Sequence, residues 1–210
     1  MKEYPLLLKS EMVRAILEGR KTQTRCPIVP QPEGADYWTI HFDGNFYPNK
    51  IDVNPPLLKF PWQVGDRLWV RETWKCSALS HHTPTDGPES AEYSISYKPD
   101  GHFPNCKSFK FEKRIENAWQ KNRDGWRPSI YMPRWASRIT LEITNIRVER
   151  IREISEEDAQ QEGIDFYQVS PEGNGSYRYP FEMFWDSLYD KKGYGWDKNP
   201  WVWVREFRRR

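Results

Sequence analysis

Ile139-Thr140-Leu141-Glu142-Ile143-Thr144-Asn145-Ile146-Arg147-Val148-Glu149-Arg150-Ile151 is the stretch that sets the fold class. Ile139, Leu141 and Ile143 alternate with polar residues, the period of a half-buried strand. Ile146 and Val148 resume the alternation one position out of step, which predicts a bulge near Asn145. Working outward, Trp201-Val202-Trp203-Val204-Arg205-Glu206-Phe207 reads as a closing strand, with Arg208-Arg209-Arg210 as a frayed tail. Arg67-Leu68-Trp69-Val70-Arg71-Glu72 reads as a third strand, entered through the turn Val64-Gly65-Asp66. Residues 5–9 form a short strand before Ser10, a plausible N-cap. Met12, Val13, Ile16 and Leu17 then share one helical face that Gly19 closes. Ser155-Glu156-Glu157-Asp158 resembles a capping box, with Gly163 ending its helix. Phe181, Phe184, Trp185 and Leu188 mark another amphipathic helix. Several strands, short helices and no βαβ alternation predict an α+β fold, a small mixed β-barrel with short flanking helices.

The 210 residues suit one domain spanning 1–210, with insertions at about 27–61 and 76–126. The first insertion is rich in Pro, Gly, Asn and Asp, with one hairpin expected around Asp43-Gly44-Asn45. In the second, residues 92–98 alternate like a strand. Hydrophobic residues make up only 37%, but 11 Trp, 11 Tyr and 10 Phe supply large buried areas, so a core is expected. A net charge of +2 excludes a general coat for DNA and allows only a local nucleic-acid patch. Three cysteines argue against a disulfide framework. No membrane-length apolar run and no signal-peptide pattern are present, so a soluble cytoplasmic protein is expected.

The chemistry concentrates in Gly19-Arg20-Lys21-Thr22-Gln23-Thr24-Arg25, read as a helix-exit loop. A cationic pocket carrying a hydroxyl suits a phosphate, a nucleobase or a carbonyl under attack. A second candidate patch is Arg134, Trp135, Ser137 and Arg138: arginines for phosphate, an indole for stacking, or simply a loop that closes the barrel. Arg67, Trp69 and Arg71 share a strand face that either lines a cleft or is solvated. Cys76, His81, His82, His102 and Cys106 lie within one insertion, but their spacings match no familiar zinc finger or ribbon. Neither a nucleotide-hydrolase phosphate loop nor a dinucleotide fingerprint is present. No metal and no cofactor are expected.

The order of the early helix ending in 19–25, the Gly65-Asp66 turn, the strand 139–151, the acidic helix 155–162 and the final strand 201–207 resembles the ASCH family. Its fold is similar to the RNA-binding PUA barrel. The likeness is strongest to the larger, prophage-associated members, which carry a similar Pro-Arg-Trp-Ala-Ser-Arg segment. Residues 27–61 and 76–126 have no counterpart in the small members. The resemblance implies a cleft for RNA, nucleic acid or a modified nucleoside. One branch hydrolyses the acetyl amide of acetylated cytidine, and another has been proposed to cut RNA. In the amidohydrolase branch the working residues fall here on Lys21, Thr24 and Glu162; Arg20 and Thr22 also match. Cys26 stands where that branch has an arginine, and Arg25 precedes it.

Those roles make chemical sense. Thr24 could attack if Lys21 were neutral, and burial or nearby cations such as Arg20 and Arg25 would lower its pKa. Glu162 could protonate the leaving amine, and Thr22 or a backbone amide could hold the oxyanion. Against this stands a plainer reading, in which Lys21 and Arg25 are solvated charges and Glu162 is a helix-surface carboxylate. Two further functions fit the same sequence: a non-catalytic reader of RNA or modified DNA, and a phage accessory protein that binds a host partner through the insertions.

Overall fold

The computed structural model describes residues 1–32, 38–40, 46–48, 61–78, 92–98, 107–110, 117, 125–168 and 175–210. In chain order the elements are β1 (Glu3–Leu7), α1 (Ser10–Leu17), β2 (Gln23–Pro27), β3 (Trp38–Ile40), β4 (Phe46–Pro48), β5 (Arg67–Arg71), β6 (Trp74–Ala78), β7 (Glu92–Tyr97), β8 (Lys107–Lys110), β9 (Thr140–Arg150), α2 (Glu156–Gln161), β10 (Tyr167–Gln168), β11 (Gly175–Ser176), α3 (Arg178–Tyr189) and β12 (Trp201–Arg209). Short 3₁₀ turns join several of them. The fold is mixed α+β, mostly strands with three short helices among the described residues. No strand pairing among these residues closes a sheet into a barrel.

The chain divides into two compact units, the first made of Met1–Glu3, Ala15–Arg67 and Leu141–Arg210, the second of Tyr4–Arg14 and Leu68–Thr140. In the first unit β12 is central, antiparallel to β2 on one side and to β9 on the other. The register shifts between Glu206 and Phe207, which face Asn145 and Ile143, so Thr144 is the extra residue. The broken alternation in the sequence marked this bulge. Its core includes Ile143, Ile146, Ile151, Ile154, Phe181, Trp185, Trp196 and Trp203. The Trp185 indole N–H donates to the Tyr194 carbonyl at 2.8 Å, so its polar edge is satisfied.

Two expectations change here. Residues 23–27 form strand β2 rather than a loop, because the backbone of β12 offers a complete antiparallel ladder from Val202 to Glu206. The terminal arginines are not frayed: Arg208 and Arg209 pair with Glu142 and Leu141, and the side chains of Arg208 and Arg210 both bind Glu142. The β3–β4 pair flanks the expected hairpin, whose turn at 43–45 lies outside the described residues.

In the second unit β6, β7 and β8 form an antiparallel sheet. The strand expected at 92–98 is β7, and Lys107–Lys110 is β8. Leu68, Val70, Trp74, Cys76, Ile95, Met132, Ala136 and Ile139 are buried in it. Among the described residues no helix is long and apolar enough to cross a membrane.

Candidate functional site

Alternation along β2 sorts its side chains onto two faces. Cross-strand partners share a face. Gln23 and Arg25 lie with Glu206 of β12 and with Arg147 and Glu149 of β9, while Thr24 and Cys26 lie with Arg205 and Trp203.

The first face meets helix α2. Ser155 caps it, accepting from the Asp158 backbone N–H at 3.0 Å, but the Asp158 carboxylate does not complete a capping box. It accepts instead from Gln23 at 2.9 Å, Arg25 at 3.0 Å and Arg147 at 2.9 Å. Burial alone would raise the Asp158 carboxyl; these donors outweigh it and hold the group below the usual range. Glu162 follows as the C-cap of α2 and turns inward. The chain then leaves through Gly163, whose φ of +81° suits a residue without Cβ; a Cβ there would lie 2.7 Å from Ala15 Cβ and 2.8 Å from Lys21 Cβ. This close approach presses the end of α2 onto Lys21.

Lys21 and Glu162 meet across 141 sequence positions, both about 3% exposed. Lys21 Nζ donates to Glu162 Oε2 at 2.7 Å and to the Glu162 carbonyl at 2.8 Å. Glu162 Oε1 accepts from Arg25 at 3.0 Å. Burial pushes the Lys21 amine below its ordinary 10.5; Glu162 pulls it back up, while Arg25 and Arg205 push it further down. The depression persists because the cost of burying the ammonium exceeds the attraction of Glu162. The plainer reading of Lys21, Arg25 and Glu162 as solvated charges is therefore excluded by their burial.

The other sequence candidates divide. Arg25 does not face an open pocket as a free cation. It also binds Glu149 through Nε at 2.7 Å and Nη2 at 2.6 Å, so its guanidinium braces carboxylates from β9 and α2. Thr24 is buried, yet no hydrogen bond joins its hydroxyl to Lys21 or Glu162, and it lies on the opposite face of β2 from Arg25. Thr22 is exposed. Arg20 lies at the surface on Glu18 and Asp165 and reaches the Gly163 carbonyl at 3.3 Å.

The segment 134–138 belongs to the second unit. Ser137 is buried, its hydroxyl within 2.8 Å of the Val70 carbonyl and 3.2 Å of the Ile139 carbonyl. Arg138 grips the fully buried Glu72 with two bonds at 3.1 and 2.8 Å and covers the Tyr97 ring at 4.1 Å. Trp135 packs edge-on against Trp74 at 5.9 Å. Arg134 reaches Thr140 at 3.3 Å and lies 6.0 Å from the Trp69 ring centre. Trp69 is buried between half-exposed Arg67 and Arg71, and Arg71 covers its ring at 4.7 Å. Ser137 and Trp69 are buried, whereas Arg67, Arg71, Arg134, Trp135 and Arg138 make these contacts and keep part of each side chain at the surface.

Among the described residues no three His, Cys, Asp or Glu side chains gather as metal ligands. Cys76 is buried, which raises its thiol to about 11; His81, His82, His102 and Cys106 lie outside the described residues.

Sequence reasoning missed Arg205. Its side chain belongs to the face of Thr24 and Cys26, is about 6% exposed and has no carboxylate partner among the described residues. The available signal was a charge falling on the same period-two stripe as Trp201 and Trp203. No family model matches the chain, and no curated protein or solved structure matches it either.

Proposed function

We propose that the chain is an ASCH-like protein with a PUA-like barrel, and that its Lys21–Glu162 centre acts on a modified nucleoside. The observation that carries the reading is the buried contact between Lys21 Nζ and Glu162 Oε2 at 2.7 Å, with the amine pushed below its ordinary pKa. A lysine held below its ordinary pKa reaches the neutral, proton-accepting form more readily than a solvated one. The reaction this supports is hydrolysis of an acyl amide on the exocyclic amine of cytidine. Lys21 takes the proton from the Thr24 hydroxyl as the oxygen attacks the carbonyl carbon. The proton crosses to Glu162 along the 2.7 Å contact and then goes to the leaving amine as the C–N bond breaks. Water releases the acyl group from Thr24 in the reverse sequence. The reading requires substrate to bring Thr24 within reach of Lys21, because no hydrogen bond joins them in the free protein.

The separation of Thr24 from Lys21 favours a second reading, a non-catalytic reader of RNA or modified DNA in which the centre only holds a base or phosphate. Incubation with acetylated cytidine and a panel of acylated nucleosides separates the two. The first reading expects release of the free acid, abolished in Lys21→Met and in Thr24→Val. Folded protein that turns over none of them removes catalysis. Binding to RNA that weakens with added salt would then support the reader, because phosphate contacts release counterions.

A further inference from the structure

A buried guanidinium with no counter-ion is a costly arrangement, and folded proteins normally pair such a charge. Among the described residues of the first unit three cationic side chains are buried, and two of them are paired with carboxylates. Lys21 has Glu162, and Arg25 has Glu149, Asp158 and Glu162. Arg205 is as deeply buried, yet among the described residues no carboxylate pairs with it, and the charge it influences most directly is another cation, Lys21. Arg205 Nη2 lies 3.8 Å from Cys26 Sγ, its guanidinium carbon lies 4.3 Å from the centre of the Trp62 ring, and its Nε has no hydrogen-bond partner. The nearest strand partners are Thr24 on β2 and Ile146 on β9. Thr24 presents a hydroxyl on the same face and makes no hydrogen bond of its own to Lys21 or Glu162. Trp203, Ile146 and Val148 make the nearer part of that face apolar, and Arg150, further along it, lies over the Trp201 ring at 4.2 Å. The Cys26 thiol is pushed up by burial and supplies no negative charge at neutral pH.

We propose that Arg205 and Thr24 form an oxyanion-binding site, which takes the phosphate or carboxylate group of a small ligand into this low-dielectric face. The guanidinium offers planar paired donors and the hydroxyl a third, a set that fits an oxyanion and leaves the Trp62 indole to shield it from water. The Arg25 network cannot provide the missing charge, because each of its carboxylates already accepts from a cation: Glu162 from Lys21 and Arg25, Asp158 and Glu149 from Arg25 and Arg147, Glu206 from Arg147. The site stands apart from the amide-hydrolysis reading, because a Thr24 hydroxyl that donates to an oxyanion cannot at the same time attack an acyl carbon.

The test is a thermal-shift and calorimetric titration of the whole protein with inorganic phosphate, acetate, cytidine and cytidine 5′-monophosphate. At least one oxyanion raises the unfolding temperature in a concentration-dependent way, and the best ligand among the four identifies the source: free phosphate, carboxylate or nucleotide. Arg205→Met weakens that binding by at least about tenfold, the loss expected for a charge-assisted fork. The same variant unfolds at or above the parent's temperature when ligand is absent, since an unpaired buried charge has been removed. A purely structural arginine would give the opposite stability result. Arg208→Met, on the same strand but bound to Glu142 at the surface, leaves binding unchanged. Flat titrations with all the oxyanions overturn the proposal, as does unchanged affinity in Arg205→Met. Should that variant not fold, Arg205→Gln replaces it. The two readings fail separately: oxyanion binding without turnover removes the reaction and keeps the site, and turnover without Arg205-dependent oxyanion binding does the reverse.

Discussion

Replacing Glu162 with Gln removes one negative charge and keeps the side chain's shape. Glu162 lies between Lys21 Nζ at 2.7 Å and Arg25 Nη1 at 3.0 Å, inside a site that is almost fully buried. At an effective dielectric near 20, each pair contributes gross attraction of about 5 kcal/mol. Restored freedom from carboxylate desolvation offsets part of this, and breaking a buried pair from one side leaves a net loss of about 4 kcal/mol. For a chain of this length that lowers the unfolding temperature by about 10 °C. The glutamine amide can accept from one cation only, so its NH2 group faces the other. Arg25 keeps Glu149 and Asp158, which leaves Lys21 as the stranded charge. Chemical denaturation of the parent, Lys21→Met, Glu162→Gln and the double variant therefore gives a specific pattern. The double variant is more stable than Glu162→Gln alone, because the unpaired ammonium has gone. A loss below about 1 kcal/mol in Glu162→Gln, or a double variant no more stable than it, refutes the reasoning.

Gly163→Ala places a Cβ 2.7 Å from Ala15 Cβ at a φ of +81°, so overpacking and backbone strain together cost about 3 kcal/mol, read by urea denaturation. Arg138→Met removes two charge-assisted bonds from the fully buried Glu72 and costs about 3 kcal/mol; Glu72→Gln combined with it recovers part of that loss in the same assay. Asp158 has a folded pKa below its unfolded value of 3.8, so its stabilisation is present above that value and is lost as pH falls through the folded pKa. Acid denaturation of Asp158→Asn, set beside the parent, shows a stability difference above pH 4 that shrinks on acidification.

The sequence made the β9 strand legible because Ile139, Leu141 and Ile143 alternate cleanly, and the step at Asn145 showed the bulge. Lys21 and Glu162 were legible as a pair only through the order of elements that resembles a known family; nothing local in Glu162 distinguishes it from Glu156 or Glu157. Strand β2 was not legible. Its inward polar side chains, Gln23 and Arg25, are buried by partners on β9 and α2 more than a hundred positions away, which no local period encodes. Arg25 looked like a free cation for the same reason. Asp158 looked like half of a capping box because its distant arginines are invisible in the helix itself. Ser137 and Arg138 carried nucleic-acid chemistry in their residue types, and their contacts with Val70 and Glu72 are tertiary features that the local sequence does not encode.

The account depends on an amine held out of water against a shared carboxylate. Heteronuclear NMR of selectively labelled lysine, following the Lys21 Cε and Nζ resonances through a pH titration, measures that state directly. The expected midpoint lies below 10.5, with stability gained as pH rises from that midpoint towards the unfolded value, since the folded chain then binds fewer protons than the unfolded one. A Lys21 resonance that titrates at or above 10.5 would contradict it.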